Sequence, residues 1–210
     1  SLLPLPALSI VAGTATLCAG QSVNLLALGA NTYTWNTGSN AQQIAVSPSL
    51  TTTYSLSGKD ANGCTANTSQ LITINALPVV SITAVNGSSL CGGSSATLTA
   101  SGANTYSWFP LYSLGTTFVA SPLSSMIYTV NGTNASGCAG SQTLNLTVVN
   151  LPSVSISSFG NSICTGSSAT LAAIGANTYL WSNGATTTSI VVTPTANTSY
   201  SVVGSIGSCN

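Results

Sequence analysis

The six cysteines are the residues of this 210-residue chain whose type and spacing could support covalent chemistry. A first set of three recurs every 73 residues, and a second cysteine follows each member after 46, 47 or 45 residues. An even number of regularly spaced cysteines in a chain of extracellular character predicts disulfides rather than free buried thiols. The predicted disulfide cysteines are Cys18, Cys64, Cys91, Cys138, Cys164 and Cys209.

Charged side chains, which acid–base catalysis requires, are almost absent. Lys59 and Asp60 are the only two, and the chain has no histidine. General acid–base catalysis needs a group with a tuned pKa, and a serine or cysteine nucleophile needs a base beside it. Segment 60–63 faintly resembles a calcium loop, but the second repeat has no carboxylate there, which favours a turn. We therefore expect no enzyme activity, no cofactor and no metal site.

The neutral surface also restricts the classes of partner. A surface without charge has no field to attract nucleic acid or acidic membranes. No apolar run is long enough to cross a bilayer, so membrane insertion is not expected. Copies of the chain do not repel one another, which favours self-association or packing against neighbouring repeats of a longer chain.

Three copies of one sequence unit organise the chain. The string Gly-Ala-Asn-Thr-Tyr-x-Trp occurs at 29–35, 102–108 and 175–181. Leu-Pro steps separate the copies, which predicts three domains: 1–77, 78–151 and 152–210. These joints contain proline and no Gly/Ser-rich linker, so we expect a stiff rod.

Apolar and small polar residues alternate within each unit, which is typical of half-buried antiparallel strands. Six or seven such segments in about 73 residues predict an all-β, immunoglobulin-like β-sandwich, without helices. The strand that follows Cys64 and Cys138 has no counterpart after Cys209, so the third domain is expected to lack its last strand. We expect that the chain is a piece of a longer array of repeats. The alternative is that a neighbouring chain supplies the strand.

Counting strands predicts which cysteines pair. Four strand-like segments, 22–28, 32–36, 43–47 and 52–58, separate the two cysteines of the first unit. If they alternate in direction, both cysteines lie at the same end of the sandwich. The predicted bonds are Cys18–Cys64, Cys91–Cys138 and Cys164–Cys209. The alternative joins cysteines of neighbouring units, and it requires a further short strand near 37–42.

The aromatic residues suggest two further features. Trp35, Trp108 and Trp181 occupy identical places in the three units, which favours a core position, with a sugar-stacking platform as the alternative. The second unit also has an apolar turn where the other two have polar residues. We interpret it as a candidate interface, with folding back onto its own sandwich as the alternative. The turn consists of Phe109, Pro110, Leu111 and Tyr112.

The combined pattern of Cys-x-Gly-x-Ser, the Tyr-x-Trp motif, Thr-Tyr or Ser-Tyr and a final cysteine covers the whole chain. It resembles the immunoglobulin-like and PKD-like repeats of very large secreted surface proteins of Bacteroidetes-type bacteria, the gliding adhesins among them. Such repeats usually carry more acidic residues. The resemblance implies a secreted, cell-surface, structural or adhesive role, as part of an extracellular filament or giant adhesin. The alternative function is an array of carbohydrate-binding modules.

N-glycosylation sequons occur about as often as chance predicts in a chain this rich in Asn, Ser and Thr. They therefore leave glycan attachment open. The sequons begin at Asn67, Asn86, Asn131, Asn134, Asn145 and Asn197.

Overall fold

The structure is a computed structural model that describes residues 3–158 and 162–210. Within these ranges the chain forms twenty β-strands and no helix, so it offers no helical segment able to cross a membrane. The alternation seen in the sequence becomes alternation in burial: strand Val23–Leu28 points every second side chain into the core.

Repeat 1, residues 1–77, is a sandwich of a three-stranded and a four-stranded sheet. The sheets have the orders β1-β3-β5 and β2-β7-β6-β4. All neighbours are antiparallel except β2 and β7, which run parallel. The strands are β1 (Ser9–Ala12), β2 (Thr16–Cys18), β3 (Val23–Leu28), β4 (Thr32–Trp35), β5 (Gln43–Val46), β6 (Thr52–Lys59) and β7 (Thr65–Asn75).

Repeat 2, residues 78–151, repeats this order with one addition. Its sheets have the orders β8-β10-β13 and β9-β15-β14-β11-β12, and β12 is the extra strand. The strands are β8 (Ser81–Ala84), β9 (Ser89–Cys91), β10 (Ala96–Ser101), β11 (Thr105–Phe109), β12 (Ser113–Leu114), β13 (Thr117–Ala120), β14 (Met126–Thr133) and β15 (Ala139–Val149).

Repeat 3, residues 152–210, contains fewer strands among its described residues. Its sheets are β16-β17-β19 and the pair β18-β20, without counterparts of β2 and β7. The described residues of repeat 3 thus form five strands, and the absence of its last strand stays a prediction. The strands are β16 (Ser155–Ser158), β17 (Ala169–Ile174), β18 (Thr178–Trp181), β19 (Ser189–Val192) and β20 (Val202–Ser205).

The three tryptophans lie at the centre of the cores. Trp35, Trp108 and Trp181 are at most 2% exposed. In the first repeat, Trp35 shares one apolar cluster with Leu25 and Leu56, which are also fully buried. The prediction of core tryptophans is confirmed, and so is the all-β fold of tandem immunoglobulin-like sandwiches.

The chain divides into two compact units that cut across the middle repeat. One unit comprises 1–80, 102–106 and 131–141, and the other comprises the remaining residues. The first unit therefore contains the joint between repeats 1 and 2, and the second contains the joint between repeats 2 and 3. The domain boundaries and the rod predicted from the sequence stay predictions.

Candidate functional site

Disulfides join one repeat to the next. Cys18 bonds Cys138 and Cys91 bonds Cys209, with S–S lengths of 2.01 and 2.05 Å and Cα–Cα distances of 5.6 and 5.4 Å. Each bond links the first cysteine of one repeat to the second cysteine of the following repeat. The predicted pairs Cys18–Cys64, Cys91–Cys138 and Cys164–Cys209 are therefore wrong. Cys64 and Cys164 are free thiols.

The direction of the strands explains the correction. Cys18 ends β2 and lies opposite Asn75, the last residue of β7, whereas Cys64 immediately precedes the first residue of β7. An eleven-residue strand is about 36 Å long, and a disulfide requires Cα atoms within about 7 Å. The two cysteines of one repeat therefore lie at opposite ends of the sandwich.

The error in strand counting lies in segment 36–42. This segment turns directly after β4, where the Ser39 carbonyl accepts a hydrogen bond from the Trp35 N–H, and returns before β5 begins. Strand β5 pairs antiparallel with β3, and β4 also reverses the direction of β3 after the short turn at 29–31, so β4 and β5 run in the same direction. In repeat 2 the return forms β12, which pairs antiparallel with β11. The alternative pairing between neighbouring units depended on such a strand, and it is the pairing found.

Cleavage at a single site tests this pairing. Met126 is the only methionine, so cyanogen bromide divides the chain into 1–126 and 127–210. We expect the double variant Cys91→Ser/Cys209→Ser to remain one covalent species after cleavage, because Cys18–Cys138 still spans the cut. Reduction should then release two fragments, which non-reducing and reducing gels distinguish.

The converse variant is the matched control. Cys18→Ser/Cys138→Ser should also stay linked, through Cys91–Cys209, whereas the variant lacking all four cysteines should separate without reductant. Bonds within repeats predict the opposite result, because neither double variant would then keep a bond across Met126. Two separated fragments from either double variant would contradict the pairing.

A tight turn presents the second cysteine of each bond. In repeat 2 the Asn134 side-chain oxygen accepts hydrogen bonds from the N–H groups of Ser136 and Cys138, both at 3.0 Å. The Asn134 amide nitrogen donates to the carbonyl of Ala76, which precedes the Leu-Pro step, at 2.9 Å. The turn is thus bonded both to itself and to the joint. Cys138 and Cys209 are buried, at 0% and 2% exposure.

The free Cys64 lies in the same kind of turn. The Asp60 carboxylate accepts hydrogen bonds from the N–H groups of Asn62 and Cys64, both at 2.9 Å. The faint calcium loop is therefore a turn, as the sequence favoured. Among residues 3–158 and 162–210, no three histidine, cysteine or acidic side chains gather as metal ligands would.

The segment that leads into each repeat packs against the Gly-Ala-Asn-Thr-Tyr-x-Trp motif of that repeat. Gly102 has φ of 93°, and a Cβ at this position would overlap the carbonyl oxygen of Val79. Val80, the next residue of this segment, packs closely on Gly132. A Cβ on Gly132 would collide with the side chains of Val80 and Ala103. Small residues at these places allow the entering backbone to approach.

The tyrosine of the motif closes the same corner. The Tyr106 hydroxyl donates to the Ala103 carbonyl at 2.8 Å and accepts from the Ala103 N–H at 2.7 Å. Tyr33 and Tyr179 make the same pair of bonds in their repeats. The sequence analysis did not identify this motif as part of the joint. The glycine that starts all three copies was the available signal.

The tryptophan of the motif is not a sugar platform. Besides being buried, each indole N–H donates to a backbone carbonyl of the following loop, at Ala41, Gly115 or Thr187, over 2.8–2.9 Å. Both the ring face and the polar group are thus occupied internally. The carbohydrate-binding alternative required exposed tryptophans, so this finding removes its basis. In the core of repeat 2, burial raises the pKa of the Tyr128 phenol and favours its neutral form.

The apolar turn of repeat 2 lies at the surface. Leu111 and Tyr112 are 65% and 78% exposed, and the half-buried Phe109 packs edge-on against Tyr112 with ring centroids 4.8 Å apart. Folding back over the sandwich therefore does not occur for Leu111 and Tyr112. Leu114, directly after the turn, is 80% exposed and extends the apolar surface. The interface interpretation stays a prediction.

Repeat 3 contains an open groove, and two of its lining residues, Leu171 and Tyr200, match the buried Leu25 and Tyr54 of repeat 1. In repeats 1 and 2, Ile72 of β7 and Leu146 of β15 are fully buried. The groove in repeat 3 has a volume of about 570 Å³, and Ile163, Leu171 and Tyr200 contribute to its walls.

Comparison with known proteins gives only distant likenesses. No family model and no curated protein sequence matches the chain. Solved structures with a similar chain path include three N-terminal domains of the Highly Immunogenic Outer Capsid protein of bacteriophage RB49, at 14% identity and a TM-score of 0.35, covering 94% of this chain and 86% of that one.

Two bacterial adhesins give similar values. A 1.5-MDa bacterial ice-binding adhesin is 12% identical with a TM-score of 0.33, covering 90% of this chain and 88% of its own. A Ca2+-stabilised adhesin of an Antarctic bacterium that binds ice is 12% identical with a TM-score of 0.38, covering 98% and 66%. Values this low carry no information on what the present chain binds.

Proposed function

We propose that this chain is a non-catalytic structural segment of an extracellular filament or giant surface adhesin, and that its joints are built to withstand tension. The observation that carries the proposal is that the two disulfides overlap along the chain. Cys91, the start of the second bond, lies between Cys18 and Cys138, the ends of the first. Stable disulfides also favour an oxidising, extracellular location.

Overlap has a mechanical consequence. When the two ends are pulled, the shortest covalent path runs from the first residue to Cys18, crosses to Cys138, returns to Cys91 and crosses to Cys209. Residues 19–90 and 139–208 lie outside this path, so they bear no covalent tension even if they unfold. A bond within each repeat would leave every joint on the path of force. Bonds between repeats bypass both joints.

Self-association is the second part of the proposal. The chain carries one positive and one negative side chain, so copies can approach without repulsion. The exposed apolar turn at 109–112 offers a surface for such contact, because clustered exposed apolar groups usually mark interfaces. Adhesion to a target would require further surfaces, which a longer parent chain could supply.

Single-molecule pulling tests the mechanical proposal. A chain attached at both ends should, when oxidised, extend to about a third of the length of the reduced chain, since an extended chain spans at most about 3.3–3.6 Å per residue. The Cys91→Ser/Cys209→Ser variant should reach just under half, because its path runs from Cys18 directly to Cys138. Full extension of the oxidised wild type would refute the proposal.

A further inference from the structure

The two free cysteines occupy positions that are bonded everywhere else in the chain. Cys64 precedes the last strand of its repeat, as the bonded Cys138 does. Cys164 is the first cysteine of its repeat and begins a turn, as the bonded Cys18 and Cys91 do in theirs. Cys164 therefore matches the first cysteine of a bond between consecutive repeats, and Cys64 matches the second. The two free thiols are complementary.

We propose that Cys164 of one copy of this chain forms a disulfide with Cys64 of a second copy, and so joins copies head to tail. The partner is defined by its chemistry: a repeat of the same fold that presents a thiol in the turn before its last strand. This proposal deepens the self-association part of the proposed function. It does not affect the pulling experiment, which concerns bonds within one chain.

The half-site at Cys164 is already in its bonded geometry. The Ser167 N–H donates to the Cys164 carbonyl at 2.9 Å, and the equivalent bonds at Cys18 and Cys91 are both 3.0 Å. Gly166 has a positive φ of 78°, close to the values at the matching glycines of the bonded turns. Cys164 is exposed, so a second copy can reach its sulfur.

The half-site at Cys64 is also preformed. Its turn has the same two hydrogen bonds to residue 60 that the Cys138 turn has to residue 134. Cys64 is partly buried, whereas Cys138 is fully buried beside the joint. Cys138 is bonded to Cys18, and its turn is hydrogen-bonded to Ala76 of the preceding repeat, whereas Cys64 is a free thiol; docking of a second copy would supply both contacts.

The second copy also carries the residues of the joint itself. Its residues 3–6 are in register with 75–78, because Ala7 meets Gly29 in the same way that Val79 meets Gly102. In repeat 1 the carbonyl of Asn75 accepts a hydrogen bond from the N–H of Ala19, next to Cys18. The backbone of Leu3 in the second copy would stand in the same relation to the residue after Cys164. Leu3 is 53% exposed in the single chain.

The bond forms by thiol–disulfide exchange with a small disulfide such as oxidised glutathione. The Cys164 thiolate attacks one sulfur of the oxidant and releases one thiolate, and the Cys64 thiolate of the second copy then displaces the other. Two cysteine thiols lose two electrons and two protons in total. The oxidant gains them and becomes two thiols.

A mixing experiment tests the proposal. Cys64→Ser and Cys164→Ser chains, carrying tags of different size, are incubated separately and together in a glutathione redox buffer and separated on non-reducing gels. We expect monomers from each variant alone and a heterodimer from the mixture, in excess over homodimers by on the order of ten to one. Wild type should form a ladder of multimers, and its linking peptide should contain Cys64 and Cys164.

Denaturant provides the matched control. In strong denaturant without docking, the same mixture should approach the random ratio, in which heterodimers are about twice as abundant as either homodimer. A random ratio under native conditions, homodimers from either single variant, or no dimer at all would overturn the proposal. None of these results would alter the bonds within the chain, so they would leave the tension-bearing function intact.

Discussion

Replacing Gly102 by alanine should destabilise the first compact unit by about 4 kcal/mol or more, one of the largest single-residue effects in the chain. Two causes act together. The backbone of Gly102 has φ of 93°, a region that costs an L-residue roughly 1–2 kcal/mol. In addition, the new Cβ would overlap the Val79 carbonyl oxygen, which belongs to the entering backbone rather than to a flexible side chain. The joint segment must therefore move.

Gly38→Ala separates these two causes. Gly38 belongs to the same compact unit and has φ of 85°, but a Cβ there would meet nothing within 4 Å. This variant should lose only the backbone term of roughly 1–2 kcal/mol. Urea unfolding followed by tryptophan fluorescence measures both variants. Equal losses would show that the entering segment does not hold Val79 against the motif.

The sequence predicted those features that depend on local periodicity. Alternation along Val23–Leu28 placed the right side chains inside, and the repeated Trp35 position indicated the core, because period-two burial is a property of each strand alone.

The cysteine pairing was not predictable by the same means. The pairing depends on whether segment 36–42 crosses back to the other end of the sandwich. In repeat 1 this segment consists mostly of small polar residues and contains one hydrogen-bonded turn, which gives no strand pattern in the sequence. Among the described residues, the equivalent segment makes enough backbone pairs to form a strand in repeat 2 alone. The joint role of Gly102 was hidden for a related reason: its neighbour Val79 is distant in sequence, and a glycine carries no pattern of burial.

Replacing Trp35 by alanine should cost the first repeat about 3–5 kcal/mol. The ring is 2% exposed and belongs to the cluster of Leu25 and Leu56, so truncation removes buried apolar surface and leaves a cavity. The Ala41 carbonyl also loses the indole N–H that bonds it at 2.9 Å. Amide hydrogen exchange in β3, β4 and β6 measures the loss locally. The amides of β17 and β18 in repeat 3 should exchange as in the wild type.

Tyr112→Gly is the matched aromatic control, and it separates folding from association. Tyr112 is 78% exposed and has φ of 48°, a region where glycine is favoured over tyrosine. Loss of its edge contact with Phe109 is offset by relief of this backbone strain, so stability should stay within about 1 kcal/mol of the wild type. A loss below 1 kcal/mol for Trp35→Ala would contradict the core assignment. A large loss for Tyr112→Gly would show that the apolar turn supports its own sandwich, whereas weakened self-association with unchanged stability would identify it as a surface for contact between copies.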